Sequence, residues 1–442
     1  MPVEKGKSVR SDIAKDSIED IKFIAFIVLG SIVAILVNVF YSRQLGPESY
    51  GDFKVAEAFF YLCAIFASIG GAAAAPKFLS DQVKSKTSNA SWEYVKFFTL
   101  LILFATIVIT AIMAILYFLH VAIFNTSHYH SILIAVLIVP VYSIYSLLSG
   151  VLQAANKLNL AVLPFSLGYG FISGCIFAFI ILFMEEVTDK HVIYAVLMTC
   201  IGLLMFNFFK LNNLNLIPKH KITLGKAKKD WLQVSIPLMI ATGTQYLIQK
   251  IDIFMIEILG SEGAVGHFAA AQTISWIFFD LEYGFAYLLA VKIVAVQDGS
   301  REQIFKTLKK CLTLPLYCAL PFFLIIVVYG HEALSYYGHD TELAYQTLLT
   351  LCFSYIVCIL STGTITWLQF NGKQNLTVML LIIGTLLNGV LNWLLLPIFD
   401  IEGAAIATAI AMIFISVSML IAAIMHLNKT KSVALTVPAS GV

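Results

Sequence analysis

The sequence predicts an all-α integral membrane protein with about twelve transmembrane helices arranged as two six-helix bundles, and three observations lead there. Of the 442 residues, 60% are hydrophobic and 12% charged, with a mean hydropathy of +0.88. So little polar surface cannot coat a soluble globule. Twelve runs are long enough to cross a bilayer, which takes about 20 mostly apolar residues. The chain also repeats itself. NVFYSRQLGPESYGDF (Asn38–Phe53) returns in weaker form as DIFMIEILGSEGAVGHF (Asp252–Phe268), with Leu45-Gly46 matching Leu259-Gly260 at an offset of 214. Gly51 and Phe53 match Gly266 and Phe268 at 215, as Lys77 matches Lys292, and Leu152-Gln153 and Lys157 match Leu368-Gln369 and Lys373 at 216. A register that drifts this slowly through polar residues marks two tandem copies with small loop insertions.

In chain order, residues 1–21 are polar and form an amphipathic segment lying on the cytoplasmic surface, with no cleavable signal in view, so the first span serves as the insertion signal. The N-terminal bundle (22–210) holds predicted spans at 22–42, 53–75, 96–118, 131–152, 160–183 and 191–210. A basic linker follows at 211–230, read as a topology signal and lipid-headgroup contact. The C-terminal bundle (231–427) holds spans at 233–257, 265–291, 311–329, 343–366, 376–397 and 403–426, with an amphipathic Arg301–Lys310 ahead of the ninth, and 428–442 is a tail.

Charge sets the orientation. With the N-terminus inside, 24 of the 28 Lys and Arg fall on the cytoplasmic side, leaving Arg43, Lys54 and Lys190 outside and Lys250 within a span. Both termini are therefore expected in the cytoplasm. Six spans per copy is an even number, so the copies enter the membrane in the same sense. They should be related by a pseudo-two-fold along its normal, with any cavity between them. The small-residue run Ser68–Pro76 favours close helix approach. The seven cysteines sit in apolar segments without a CxxC pair and read as core residues. The histidines of the outer loops (His120, His128, His130, His331, His339) read as solvated, with no metal site expected. A net charge of +2 gives no reason to expect nucleic acid.

No phosphate-binding loop, HExxH or soluble catalytic domain is present, so a transporter rather than an enzyme is expected, driven by a gradient or a partner. Ionisable residues inside spans are then the informative ones. Gln245, Gln249 and Asp252 share one face of span 7, and Lys250 and Glu257 the adjacent one. The offset of 214 carries Gln245 to Ser31, Asp252 to Asn38 and Glu257 to Arg43, so both copies place polar groups on the same face. Arg43 and Glu257 could close an outer gate as a salt bridge. Lys54, Glu57 and Tyr61 follow at i, i+3, i+7, with Glu57 mapping to Gln272 at 215, and span 8 adds Asp280 and Glu282. Arg43, Lys54 and Glu257 read equally as cavity groups or as interfacial anchors. The Gln153–Lys157 and Gln369–Lys373 segments read as structural turns, with a cytoplasmic gate as the other reading.

The turn RQLGPESYG (Arg43–Gly51) after a first span, two six-span copies, and a Gln-x-x-x-Lys turn closing the fourth span of each together resemble the bacterial polysaccharide flippases of the O-antigen (Wzx) type. These belong to the multidrug/oligosaccharidyl-lipid/polysaccharide exporter (MOP) superfamily. The resemblance implies a V-shaped, MATE-like pair of bundles in the bacterial inner membrane that moves undecaprenyl-diphosphate-linked oligosaccharides between leaflets by alternating access, as in lipopolysaccharide biosynthesis. It further implies coupling to H+ or Na+, no resident cofactor, and a polysaccharide polymerase and a chain-length regulator as partners. Under it Arg43, Lys54 and Lys250 would face the diphosphate and Tyr61 and Trp276 would stack on sugars. Asn38, Glu57, Gln245, Gln249, Asp252 and Glu257 would serve coupling or gating. A cation-coupled multidrug antiporter of the same fold and a non-transporting scaffold of a glycan assembly complex are the alternatives.

Overall fold

The computed structural model describes residues 3–84, 88–118, 128–214, 228–261, 263–294, 301–338 and 341–436. Most of the predicted linker (215–227) and His120 and His339 lie outside them. All fourteen elements are α-helices. The N-terminal half comprises α1 (Val3–Ala67), α2 (Gly71–Lys84), α3 (Ser88–Phe118), α4 (His128–Ala135), α5 (Ile138–Ala154), α6 (Leu158–Ser166), α7 (Gly168–Ile181) and α8 (Asp189–Asn213). The C-terminal half comprises α9 (Lys228–Leu259), α10 (Ala264–Val294), α11 (Arg301–Ser335), α12 (Thr341–Ile359), α13 (Thr362–Phe370) and α14 (Gln374–Thr436).

Eight helices among the described residues are long and apolar enough to cross a membrane. Two of them, Ala25–Ala67 (43 residues) and Gln374–Leu427 (54 residues), each run over two predicted spans, so hydropathy alone does not return the expected twelve. The predicted spans 7 and 8 fall in α9 and α10. The first long helix breaks at Gly46 (φ 75°, ψ 173°), with Pro47 opening the next segment. Glycine reaches that left-handed φ without strain, and proline at a first helical position loses an N–H that has no partner anyway. The chain doubles back there, because the Tyr50 hydroxyl donates to Asn38 Oδ1 at 3.0 Å across twelve residues. The second long helix breaks at Asp400 (φ 50°).

Two features of the repeat take physical form. Asn156 (φ 55°) and Gly372 (φ 73°), 216 apart, both adopt the left-handed conformation. Each is followed by the bond that closes a Schellman turn, Lys157 N–H to Leu152 O and Lys373 N–H to Leu368 O, both 2.9 Å. The paired Gln-to-Lys segments are thus helix stops with identical hydrogen bonding. The small-residue run also does what its composition favours: a Cβ on Gly70 would stand 2.0 Å from Ser235 O of α9, and one on Gly150 2.4 Å from Ala72 O.

The two halves meet backbone to backbone at the end that carries the Gly46 turn. A Cβ on Gly51 would lie 3.1 Å from Gly266 N, and one on Gly266 2.2 Å from Pro47 O. These glycines are equivalent in the repeat. The closure predicts that Gly266→Ala lowers the melting temperature in detergent by several degrees, since overpacking costs about 1–3 kcal/mol. Gly202→Ala, which meets nothing within 4 Å, is the matched control expected to melt like the unmodified protein. Equal melting of both variants would show that this contact contributes nothing to stability.

Candidate functional site

Between the halves lies a cavity of about 400 Å³, walled by α1, α5, α6 and α7 on one side and by α9 and α10 on the other. Six of the sequence-predicted residues line it: Asn38, Lys54, Glu57, Tyr61, Lys250 and Trp276. Helical spacing brings them together. Lys54, Glu57 and Tyr61 rise along one face of α1 past its turn, and Trp276 and Asp280 stand one turn apart on α10.

The two lysines are held differently. Lys54, 4% exposed, forms an ion pair with Glu57 at 2.7 Å. The other Glu57 oxygen accepts from the Tyr169 hydroxyl at 2.9 Å, so this carboxylate is satisfied on both sides. Lys250, 3% exposed, has no ion pair among the described residues. Its Nζ lies 3.7 Å from the centroid of the Trp276 ring and donates to Gln272 Oε1 at 3.3 Å. A desolvated cation–π contact contributes about 2 kcal/mol, far short of offsetting an ammonium's dehydration. An ammonium has three donors, and Gln272 takes one. Gln272 is itself fixed by donating to the Gln249 carbonyl at 2.9 Å. Glu57 thus partners Lys54, and its repeat equivalent Gln272 partners Lys250, a lysine at a non-equivalent position.

Aromatic rings form the rest of the wall. Tyr61 stands with Tyr142 (centroids 4.9 Å), Tyr169 (6.2 Å) and Tyr246 (6.0 Å), and Phe165 stacks on Tyr169 at 4.8 Å. Asp280 lines the cavity one turn beyond Trp276 and accepts from the Ser31 hydroxyl at 2.6 Å. The cavity therefore holds the Lys54–Glu57 ion pair, an ammonium with no ion pair among the described residues, a carboxylate bonded to a neutral hydroxyl, and aromatic faces around them.

Asp252 lies elsewhere. It is two residues from Lys250, which turns it about 200° around α9. It is 1% exposed and receives Asn392 Nδ2 (2.7 Å) and Asn388 Nδ2 (3.3 Å) on Oδ1 and the Thr408 hydroxyl (2.5 Å) on Oδ2, all from α14. No lysine or arginine is ion-paired with it among the described residues. The buried Asn392 Oδ1 has no hydrogen-bond partner. The Asp252 carboxylate is thus met by three neutral donors in a dry core.

Three expectations need correction. Asp252 shares a helical face with Gln245 and Gln249 but not a site with Lys250; Gln245 is exposed, and Gln249 contributes its backbone carbonyl. Arg43 does not reach the cavity. It is exposed, its stem lies against Gly338 (3.9 Å from a Cβ built there), and Ser42 beside it donates to Tyr337 O at 2.9 Å. Nor does Arg43 point to Glu257: α1 leaves it against Gly338, just past the end of α11. Asn388, Asn392 and Thr408 were missed in the sequence, although two asparagines at i, i+4 in an apolar run are a usable signal. Tyr142, Phe165, Tyr169 and Tyr246 carry no such mark among 19 tyrosines and 33 phenylalanines.

Comparison with known proteins places this geometry. A family described as polysaccharide biosynthesis protein matches residues 21–279, and the MatE family matches residues 237–394. Comparison with curated protein sequences gives no match. Among solved structures, an inward-facing multidrug resistance MATE transporter of the MOP superfamily superposes with a TM-score of 0.72 at 14% identity, over 91% of this chain and 96% of that one. A MOP superfamily transporter from Pyrococcus furiosus, whose binding pocket is described as having reversed polarity, gives 0.67 at 15% identity over 93% and 96%. The lipid II flippase MurJ in an inward closed conformation gives 0.66 at 16% identity over 91% and 87%. The chain is thus a multi-pass membrane protein with the MATE-like fold, and it belongs to the polysaccharide biosynthesis protein family.

Proposed function

We propose that the protein is a flippase that carries polysaccharide repeat units linked to undecaprenyl diphosphate from the inner to the outer leaflet of the bacterial inner membrane, with both termini cytoplasmic. One observation carries the reading: Lys250 is buried at the junction of the two halves, with no carboxylate at ion-pair distance among the described residues, at the wall of a cavity faced with aromatic rings. A buried ammonium of this kind lacks an anion, and a diphosphate supplies one through charge-assisted hydrogen bonds. Lys54 joins it when the anion competes for the Glu57 bond. Rings such as Tyr61 and Trp276 offer faces for the apolar sides of sugars. Asp252, with Asn388, Asn392 and Thr408, takes the coupling cation, Na+ or H+, outside the cavity. Alternating access follows if cation binding biases the packing of α9 against α14, and hence how the halves meet.

The second reading, a cation-coupled multidrug antiporter, draws on the MATE neighbours and on Asp280. Thermal shift of the purified full chain separates the two. A polyprenyl-diphosphate oligosaccharide is expected to raise the melting temperature, and lipophilic cations are expected to leave it unchanged. The reverse pattern would establish the antiporter.

A further inference from the structure

Two carboxylates face the cavity, and their surroundings differ. Glu57 is neutralised by Lys54 and bonded by Tyr169. Asp280 receives the Ser31 hydroxyl, has no ion pair among the described residues, and lines the same cavity. An ionised carboxylate accepts about four hydrogen bonds and donates none. It is therefore a place for donors, and it repels anions.

Its position says what kind of donor. Asp280 stands four residues past Trp276 on α10, about 6 Å along the helix. Trp276 carries Lys250 on its face. Lys250 and Asp280 thus line one cavity on either side of Trp276 in the contact order, with aromatic rings in the same wall. Pyranoses present hydroxyls or N–H groups at their edges and C–H bonds on their faces, so a ring lying here would meet acceptors at its edge and aromatic planes on its face.

We infer that Asp280 and Ser31 form an acceptor subsite for the saccharide residue attached directly to the diphosphate, reading its hydroxyl or amide donors and rejecting an acidic sugar at that position. The inference rests on the flippase reading and adds to it: Lys250 holds the diphosphate, while Asp280 selects what the diphosphate carries. Asp280 is then a specificity-determining residue, and the cavity favours neutral or amino sugars over uronic acids next to the lipid.

Calorimetric binding to the full chain tests it with three probes: a short prenyl diphosphate bare, bearing a neutral hexose, and bearing a uronic acid. The unmodified protein is expected to bind the hexose form about tenfold more tightly than the bare one, the size of a hydrogen bond to a charged group. The uronic acid form is expected to show no such advantage. Asp280→Asn, which keeps the shape of the side chain, and Ser31→Ala should each reduce the hexose preference, the former to near unity. Bare-diphosphate affinity should stay equal or become tighter. A tenfold preference retained by Asp280→Asn, or a uronic acid form bound as tightly as the hexose, overturns the subsite and leaves the flippase reading intact. Failure of the folded, unmodified protein to bind any of the three overturns both.

Discussion

Lys250→Ala is expected to abolish movement of the diphosphate-linked glycan while the protein accumulates in the membrane at its usual level. Both halves of this expectation come from the same burial. The ammonium is dehydrated, with Gln272 and the Trp276 ring as its neighbours, so the folded state gains little from it. Removing a buried charge that has no counter-ion is neutral or stabilising. The bound state loses charge-assisted hydrogen bonds of about 1.5–3 kcal/mol each, which is roughly ten- to a hundredfold in affinity per bond. Lys250→Arg keeps the charge but exchanges a compact donor for a planar fork, so part of the activity remains. Full transport by the alanine variant, at equal protein level, would remove Lys250 from the substrate site.

Asp252→Asn is expected to uncouple transport from the ion. Asparagine keeps the shape and one acceptor oxygen, enough for the Asn392 amide, while its NH2 can donate to the Thr408 hydroxyl, and it removes the charge that a cation requires. Thermal melting reads this directly. A ligand that binds only the folded state at a hundred times its dissociation constant stabilises it by about 2.7 kcal/mol. The unmodified protein should therefore melt at rising temperature as the coupling cation is added, NaCl against KCl or a pH series in place of salt. Asp252→Asn should give a flat line, and glycan movement in vesicles should no longer respond to the imposed gradient. A gradient response equal to that of the unmodified protein would show that the network around Asp252 is structural.

The sequence revealed the architecture through features that local chemistry enforces. The Gly46-Pro47 turn, the matched stops at Asn156 and Gly372, and the small residues at 68–76 are all sites where the backbone needs a particular residue type. Buried charge was legible as well: Lys54, Glu57 and Lys250 stood out because hydrocarbon tolerates few ionisable groups. Register was not enough to say which neighbour each would find. Lys250 and Asp252 are two residues apart and meet different neighbours, because the helix turns them toward α10 and α14 respectively. Arg43 shows the converse. Its pseudo-symmetry with Glu257 suggested a salt bridge, but the fold sets its stem against Gly338 instead. The aromatic wall was hidden for a different reason: in a chain with 33 phenylalanines and 19 tyrosines, only the fold says which rings face a cavity and which face lipid.

The central claim is that this chain moves a diphosphate-linked glycan across a bilayer, and liposomes measure that most directly. Purified protein is reconstituted with a fluorescent undecaprenyl-diphosphate oligosaccharide in the outer leaflet, and the fraction protected from an external sugar-modifying enzyme is followed with and without an ion gradient. The account predicts protein-dependent protection that Lys250→Ala stops. Absence of movement by the folded, unmodified protein, under both proton and sodium gradients and with several glycans, would contradict it.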